Sequence, residues 1–173
     1  MTERLQGRRA LITGAAGGLG SAIASAFARE GAAIAVMGRN WAALDELCST
    51  LPSGRAYPVP ADITDAEAVT VAVDHAAGLL GGLDTVVNAA AVDCVWEPVG
   101  DMPVQSWDET IAVNLSGTFY VCRAALPLIV EAGGGSIVNL TSVAGLRAWA
   151  LDSAYNASKA GVEMLTRTIA IEY

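Results

Sequence analysis

A short apolar strand that runs directly into a glycine-rich turn is the feature that most constrains this fold. Residues 9–12 precede the segment 13–20, and a helical stretch follows at once. Glycines at 14, 18 and 20 permit a tight turn, close approach of the backbone to a pyrophosphate, and close packing of the helix on the sheet. The helix N-terminus also offers unpaired N–H groups to anionic oxygens. The segment therefore predicts a dinucleotide-binding loop formed by Gly14, Gly18, Leu19 and Gly20.

Apolar, strand-like runs alternate with helical stretches along the whole chain. The strands are predicted at residues 9–13, 32–37, 56–60, 83–88 and 136–141, and the helices at 18–30, 41–50, 65–80, 105–131 and 153–172. Five β–α repeats predict an α/β fold, a doubly wound, Rossmann-like parallel sheet with strand order 3-2-1-4-5. We expect residues 1–173 to form this single domain, with its ligand at the carboxyl ends of the strands.

Charge and cysteine content exclude several classes of protein. The net charge is −8, whereas a nucleic-acid surface needs clustered lysine and arginine, so we expect no nucleic-acid partner. The three cysteines, Cys48, Cys94 and Cys122, are odd in number and widely spaced, which favours reduced thiols over a disulfide framework or a metal site. His75 is the only histidine and lies in an apolar helical stretch, where packing is the favoured role. The sequence therefore predicts no metal site.

The N-terminal region also resembles a secretory signal, because Arg8 and Arg9 precede an uncharged stretch over residues 10–28. A signal core would not usually carry four central glycines, and cleavage would remove the strand with which the next strand must pair. We expect no other stretch that is apolar and long enough to span a bilayer. A cytoplasmic location without membrane contact is therefore predicted, with secretion as the minor alternative.

A phenol and an ammonium group lie one helical turn apart near the end of the chain. Tyr155 and Lys159 are four residues apart in a predicted helix, which places their side chains on the same face. A cation within about 5 Å of the phenol oxygen favours the phenolate, so the pair can transfer a proton near neutral pH. The spacing alone is common by chance, and an exposed helix turn with a solvated lysine is the alternative.

Several motifs together resemble those of the short-chain dehydrogenase/reductases, in the order of that family. They are residues 13–20, 62–63, 88–91, 114–117, 136–145 and 155–159. The resemblance implies an NAD(P)-dependent oxidoreductase that interconverts a secondary alcohol and a ketone by hydride transfer. By resemblance, Ser142 orients the substrate oxygen, Tyr155 is the general acid/base, Lys159 binds the nicotinamide ribose, and Asn114 anchors a proton-relay water.

The end of the second strand bears on the choice of nicotinamide cofactor. NAD-using relatives carry an acid there, whereas this chain has Gly38 followed by Arg39. A missing carboxylate removes repulsion against a 2′-phosphate, and a guanidinium suits phosphate oxygens. We therefore expect NADP rather than NAD, although Arg39 could instead be an exposed loop charge. By resemblance, Asp62 and Ile63 flank the adenine, and Asn88 ties the strand ends together within the cofactor site.

Two departures from the family pattern affect the expected activity. The usual N-N-A-G motif is N-A-A-A at residues 88–91, which places Ala91 beside the nicotinamide. Members of the family also continue, beyond the position of Tyr173, through a further strand, a substrate-covering segment and a last strand. We expect the 173 residues to be a fragment that lacks these elements and exposes the edge of its fifth strand. The alternative function is a catalytically impaired dinucleotide-binding or scaffold protein.

The substrate and partner predictions are correspondingly broad. Candidates for lining a pocket for a small alcohol or ketone follow the fourth and fifth strands: Asp93, Cys94, Trp96, Ala144, Arg147, Trp149 and Leu151. The helices at 105–131 and 153–172 carry more apolar residues than one sheet face requires. By resemblance, these two helices form a homodimer interface, with a tetramer possible in a longer product.

Overall fold

The structure, a computed structural model, describes residues 3–52 and 54–173 as five strands and six α-helices. The strands are β1 Arg9–Thr13, β2 Ala33–Gly38, β3 Ala56–Pro60, β4 Thr85–Asn88 and β5 Ser136–Asn139. The helices are α1 Gly18–Arg29, α2 Trp41–Thr50, α3 Ala66–Leu80, α4 Val104–Ile111, α5 Thr118–Glu131 and α6 Ser153–Glu172. The strands form one parallel sheet in the order β3-β2-β1-β4-β5, which confirms the predicted doubly wound fold.

Both faces of the sheet are covered by helices, which explains why the central strands are apolar almost throughout. Successive residues of a strand point to opposite faces. Accordingly, Leu11 belongs to the core cluster that includes residues of α3 and α5. Ile12 belongs to the second cluster, with residues of α1 and α2. Leu11 and Ile12 are both fully buried, so β1, the middle strand of the sheet, is covered on both faces.

The ends of the central strands meet at the same level of the sheet. Thr13 pairs in register with Met37 of β2 and with Asn88 of β4, and Asn88 pairs with Asn139 of β5. The loops after β1 and β4 therefore leave the sheet side by side. In a doubly wound sheet the chain turns to opposite faces at this point and leaves a crevice for a ligand.

The helix predicted at 105–131 is continuous in outline but contains a π-helical turn. This turn, Ala112–Gly117, separates α4 from α5. A Cβ atom on Gly117 would lie 2.7 Å from the side chain of Ile63, so glycine permits this close contact. Helical periodicity in the sequence does not reveal such a turn, since the pattern of buried residues continues on both sides. π-helical turns are often found at functional sites.

The same helical stretch corrects one expectation about membranes. Val104–Glu131 spans 28 residues and contains an 18-residue window with a mean hydropathy of 1.4, long and apolar enough by those measures to cross a bilayer. The prediction that no such stretch exists was therefore wrong. Val121 and Ala125 of α5 are fully buried in the core, and the core helix of a soluble protein passes the same test.

Three strands have boundaries other than the predicted ones, and β2 is Ala33–Gly38 rather than 32–37. β4 begins at Thr85 rather than at 83, and just ahead of the strand the Asp84 carboxylate accepts a 3.0 Å hydrogen bond from Arg9 Nε. β5 ends at Asn139, and the chain then reaches a short 3₁₀ helix, Val143–Gly145. β5 is the edge strand on this side of the described sheet, and its Val138 is about half exposed.

Candidate active site

The glycine-rich loop contains glycines with different structural requirements. Gly14 has a φ of 64°, and a Cβ atom there would lie 2.6 Å from the Cα atom of Ala90. A Cβ atom on Gly20 would overlap the carbonyl of Gly14. In contrast, a Cβ atom on Gly18 would meet no described atom within 4 Å. The chain's own packing therefore requires Gly14 and Gly20, whereas Gly18 leaves its side of the helix N-terminus accessible to a ligand.

Thr13 connects this loop to the loop that follows β4. Its Oγ1 accepts hydrogen bonds from the N–H groups of Ala89, at 3.1 Å, and Ala90, at 3.2 Å. These bonds satisfy two backbone donors at the end of β4 and hold the two loops together. Thr13 had no separate predicted role, although its position opposite Asn88 in neighbouring strands is the signal that could have indicated one.

A cleft of about 440 Å³ opens between the loops that follow β1, β2, β3 and β4. It is lined by most of the predicted cofactor-binding residues: Gly14, Gly18, Leu19, Gly20, Arg39, Asp62 and Ile63. Ala91 also lines the cleft, whereas Asn88 does not. A cleft that begins at a helix N-terminus suits a dinucleotide, because N–H groups and the helix dipole attract phosphate oxygens.

Arg39 and Asp62 face the same cleft with opposite charges. Arg39 is exposed on it, as is Asp62. The Asp62 carboxylate accepts hydrogen bonds from Thr64 N at 2.9 Å and from Thr64 Oγ1 at 2.8 Å. These two bonds lower the pKa of Asp62, and the charge of Arg39 adds to the effect. Asp65, rather than Asp62, caps α3.

Lys159 is buried beside the end of the sheet. Lys159 is only 4% exposed, and its Nζ donates a 2.9 Å hydrogen bond to the carbonyl of Leu140. Burial lowers the pKa of Lys159. An ammonium group has three donors, and Leu140 provides its one hydrogen-bond acceptor among the described residues. A buried ammonium with donors to spare fits a ligand that carries hydroxyl oxygens.

Ser142 and Tyr155 lie in elements that pack closely together. Ser142 Oγ accepts a 3.1 Å hydrogen bond from Ala144 N, which leaves the hydroxyl proton free to be donated elsewhere. A Cβ atom on Gly145 would lie 2.9 Å from the Lys159 carbonyl, so the 3₁₀ helix contacts the backbone of α6. Tyr155 is half-buried, and Lys159 Nζ lies 5.5 Å from its ring centroid.

Asn114 lies in the π-helical turn, fully buried, with both ends of its side chain bonded to protein. Oδ1 accepts from Val92 N at 2.8 Å, and Nδ2 donates to Val92 O at 2.9 Å and to Ser158 Oγ at 3.1 Å. Asn114 thereby joins the loop after β4 to the helix that carries Tyr155. This connection could not be predicted from sequence, since it depends on where the Val92 loop folds.

Asn88 belongs to a buried polar network beneath the cleft. Its Nδ2 donates to Asn139 Oδ1 at 2.8 Å and to Cys122 Sγ at 3.4 Å. Asn139 Nδ2 in turn donates to Thr166 Oγ1 of α6 at 2.9 Å. Burial raises the pKa of the Cys122 thiol to about 11. Asn88 therefore ties the ends of β4 and β5 together, and its Oδ1 has no partner among the described residues.

The predicted pocket-lining residues are distributed over two loops. Trp96, Arg147, Trp149 and Leu151 are exposed, whereas Ala144 is buried. They do not line the cofactor cleft.

A buried thiol joins these two loops. Cys94 Sγ donates to Asp152 Oδ1 at 3.2 Å. With Asp93, these residues bring potential metal-ligand atoms within 4.8 Å of one another. Burial raises the pKa of the Cys94 thiol, as do the carboxylates of Asp152 and Asp93, so a thiol–carboxylate hydrogen bond accounts for this cluster.

Comparison with known proteins identifies similar sequences over nearly the whole chain. The family model for short chain dehydrogenases matches residues 8–173. A D-threitol dehydrogenase from Mycolicibacterium smegmatis is 42% identical over 172 residues, covering 98% of this chain and 66% of the relative. A D-beta-hydroxybutyrate dehydrogenase from Rhizobium meliloti is 40% identical over 171 residues, covering 95% of this chain and 65% of the relative. The chain spans about two thirds of the length of these relatives.

The fold itself is shared with solved structures. A short chain dehydrogenase from Shigella flexneri superimposes with a TM-score of 0.94 at 28% sequence identity. The match covers 100% of this chain and 70% of that one.

Proposed function

We propose, for a chain that belongs to the short-chain dehydrogenase family, that it interconverts a secondary alcohol and a ketone with a nicotinamide cofactor. The observation that carries the proposal is the buried Lys159 ammonium held 5.5 Å from the Tyr155 ring, in a chain whose strand ends also form a cleft with an open helix N-terminus. Two relatives are named as dehydrogenases of hydroxyl compounds, D-threitol and D-beta-hydroxybutyrate, which supports the same class of reaction.

The cofactor would be held by the residues of the cleft. Gly14, Gly18, Leu19 and Gly20, with the N-terminus of α1, would bind its pyrophosphate, and Asp62 and Ile63 would flank its adenine. The free donors of Lys159 would bind ribose hydroxyls, while Asn88 supports the site from below. When bound, the nicotinamide supplies or accepts the hydride.

Tyr155 would act as the general acid/base. During reduction its hydroxyl gives a proton to the ketone oxygen, and during oxidation its phenolate takes that proton from the alcohol. The Lys159 ammonium stabilises the phenolate through its charge, because both groups are partly withdrawn from water. Ser142 would donate a hydrogen bond to the same substrate oxygen, since its hydroxyl proton is free.

Asn114 would support proton transfer from the π-helical turn. Both ends of its side chain are bonded to Val92 and Ser158, so a relay water would bind its backbone rather than its amide. In this role Asn114 also fixes the loop after β4 relative to the helix of Tyr155.

NADP would be preferred to NAD. Arg39 is exposed on the cleft directly after Gly38, and a guanidinium there can bind a 2′-phosphate by two hydrogen bonds. The nearby Asp62 carboxylate is already bonded to Thr64, which reduces its competition for Arg39.

The protein would act on a small molecule in the cytoplasm as a homodimer. The exposed apolar side chains of Trp107, Phe119 and Met164 lie on the helical segments 105–131 and 153–172 and would be covered by a second copy. A longer product could assemble further, into a tetramer. Light scattering at micromolar concentration tests the dimer, and a monomeric mass would contradict it.

A second candidate is a dinucleotide-binding or scaffold protein with impaired turnover. It is favoured by the openness of the loop before α6, where Leu146 is 68% exposed, because hydride transfer needs a site closed to water. NADPH consumption against a panel of ketones distinguishes the two functions. Turnover that is lost in Tyr155→Phe supports the enzyme, whereas NADPH binding without turnover supports the binding protein.

A further inference from the structure

The helix that carries Tyr155 begins without the usual side-chain cap. Asp152 occupies the N-cap position of α6, yet its carboxylate accepts no capping hydrogen bond from the first turn, all of which the structure describes. Asp152 Oδ1 instead accepts a 3.2 Å hydrogen bond from the thiol of Cys94, 58 residues earlier in the loop after β4. The first N–H groups of a helix have no acceptors within it. The start of α6 is therefore open to capping by a group from elsewhere in the chain.

The sulfur of Cys94 provides such a group. Burial raises the pKa of its thiol, and a hydrogen bond from the Tyr155 N–H to the sulfur opposes that effect. Asp152 and Asp93 raise the pKa further, so the thiol is protonated at neutral pH. One sulfur can then accept from Tyr155 and donate to Asp152 at the same time. Tyr155 is the third residue of α6, the position to which a capping side chain commonly bonds.

The loop that carries this sulfur is anchored on its other side. The Val95 N–H donates a 3.2 Å hydrogen bond to Ser106 Oγ of α4. Two residues before Cys94, Val92 lines the cofactor cleft, and both its N–H and its carbonyl are bonded to Asn114. Cys94 therefore connects the backbone of the proposed acid/base to the same loop that borders the cleft.

A second connection joins the same two segments just ahead of α6. The Glu97 N–H donates a 3.1 Å hydrogen bond to the carbonyl of Leu151. Leu151 has a φ of 66°, a conformation that costs an L-residue other than glycine about 1–2 kcal/mol. Such a conformation persists where the surrounding contacts hold it. The start of α6 is thus fixed to the loop after β4 at two points.

We infer that Cys94 is a positioning residue for proton transfer, because its sulfur caps α6 at Tyr155 and so fixes the phenol relative to the cofactor cleft. The inference rests on the proposed function, in which the phenol must reach the oxygen of a ketone whose carbon receives the hydride. A displacement of about 1 Å can lower the rate of such a reaction about 100-fold. In this role Cys94 touches neither substrate nor cofactor and acts through Tyr155.

The kinetic test measures NADPH oxidation with whichever of acetone, acetophenone and acetoacetate wild type reduces fastest. Cys94→Ala removes both hydrogen bonds and should lower kcat about tenfold, while KM for the ketone and Kd for NADPH stay within about threefold. Cys94→Val also removes both bonds but keeps the apolar volume, so it should match the alanine variant without leaving a cavity. Cys94→Ser keeps a donor and an acceptor and should restore kcat to within about threefold of wild type.

The matched control is Cys48→Ala, which removes a half-buried thiol from α2 and should keep the wild-type kcat. A wild-type kcat in both Cys94→Ala and Cys94→Val would overturn the inference. It would also be overturned if Cys94→Ser were as slow as Cys94→Ala, or if NADPH affinity fell in proportion to kcat, because the thiol would then affect packing rather than the placement of the phenol.

Hydrogen exchange tests the cap without any turnover. The Tyr155 amide should exchange faster in Cys94→Ala and Cys94→Val than in wild type, and at nearly the wild-type rate in Cys94→Ser. The Asn156 amide, which donates a 2.9 Å hydrogen bond to Asp152 O, is the internal control and should not change. Unchanged exchange at Tyr155, or equal acceleration at Asn156, would overturn the cap even in an active enzyme. A wild type that reduces none of the ketones would contradict the proposed function and the positioning role together, while selective acceleration at Tyr155 would still show that Cys94 caps α6.

Discussion

The ammonium nitrogen of Lys159 lies 5.5 Å from the centre of the Tyr155 ring and is bonded to the carbonyl of Leu140, just beyond β5. The spacing of four residues predicts that the two side chains share a face of the helix. Burial of Lys159 excludes the alternative of a solvated lysine on an exposed turn. The phenol is therefore paired with a cation that the end of the sheet holds in place.

Substitutions in the glycine loop should separate packing from cofactor binding. Gly14→Ala places a methyl group against the backbone of Ala90 at a positive φ, so the free energy of unfolding should fall by about 1–3 kcal/mol. Gly18→Ala meets no described atom within 4 Å and should leave the unfolding free energy nearly unchanged.

The same pair of variants should differ in NADPH affinity. Gly18→Ala should weaken NADPH binding at least about tenfold, equivalent to about 1.4 kcal/mol, because the new methyl group occupies the approach to the helix N-terminus. Urea unfolding and fluorescence titration measure the two quantities. A Gly18→Ala protein that binds NADPH as wild type does would show that the cofactor does not approach this glycine.

Arg39 should determine the preference for NADPH. Arg39→Ala removes a hydrogen bond to a charged group, about 1.5–3 kcal/mol, and should raise the Kd for NADPH about 10- to 100-fold with little effect on NADH. Arg29→Ala is the matched control, since it removes the same charge from the far end of α1. If Arg39→Ala and Arg29→Ala lose NADPH affinity equally, Arg39 is an exposed loop charge that makes no specific contact with the cofactor.

The Cys122 thiol should make stability fall in alkaline solution. Its pKa rises from 9.0 in the unfolded chain to about 11 in the folded protein, so the folded state holds this proton more tightly. The contribution is complete below pH 9 and is lost as the pH rises through about 11, with a maximum of about 2–3 kcal/mol.

Urea unfolding at several pH values tests this, with Cys122→Ser as the control. Serine keeps a hydroxyl near Asn88 and Asn139 but does not titrate in this range. The difference in unfolding free energy between wild type and variant should shrink as the pH rises from 9 to 11. A difference independent of pH would show that the buried thiol does not control alkaline stability.

The sheet and the cofactor cleft could be predicted because their signals are local. The apolar runs, the glycine loop and the Tyr155–Lys159 spacing each depend on residues close in sequence. The register of Thr13 with Asn88 then follows from neighbouring parallel strands. These features were sufficient for the strand order and for the glycine loop at one end of the cleft.

The connections between loops could not be predicted, because they depend on contacts between distant residues. Asn114 bonds to Val92 and Ser158, which lie 22 and 44 residues away. A π-helical turn carries no distinct periodicity, so the segment around Asn114 was predicted only as part of a regular helix at 105–131. Asn156 on α6 likewise bonds to both the N–H and the carbonyl of Trp149, and these bonds require the preceding loop to fold back.

The most direct test of the central claim follows deuterium from C4 of deuterated NADPH into the product alcohol. Wild type should place a single deuterium on the carbinol carbon, and Tyr155→Phe should slow this transfer about 10²- to 10⁴-fold while binding NADPH with an unchanged Kd. A wild type that binds NADPH but transfers no deuterium to any ketone would contradict the account, as would a Tyr155→Phe variant as active as wild type.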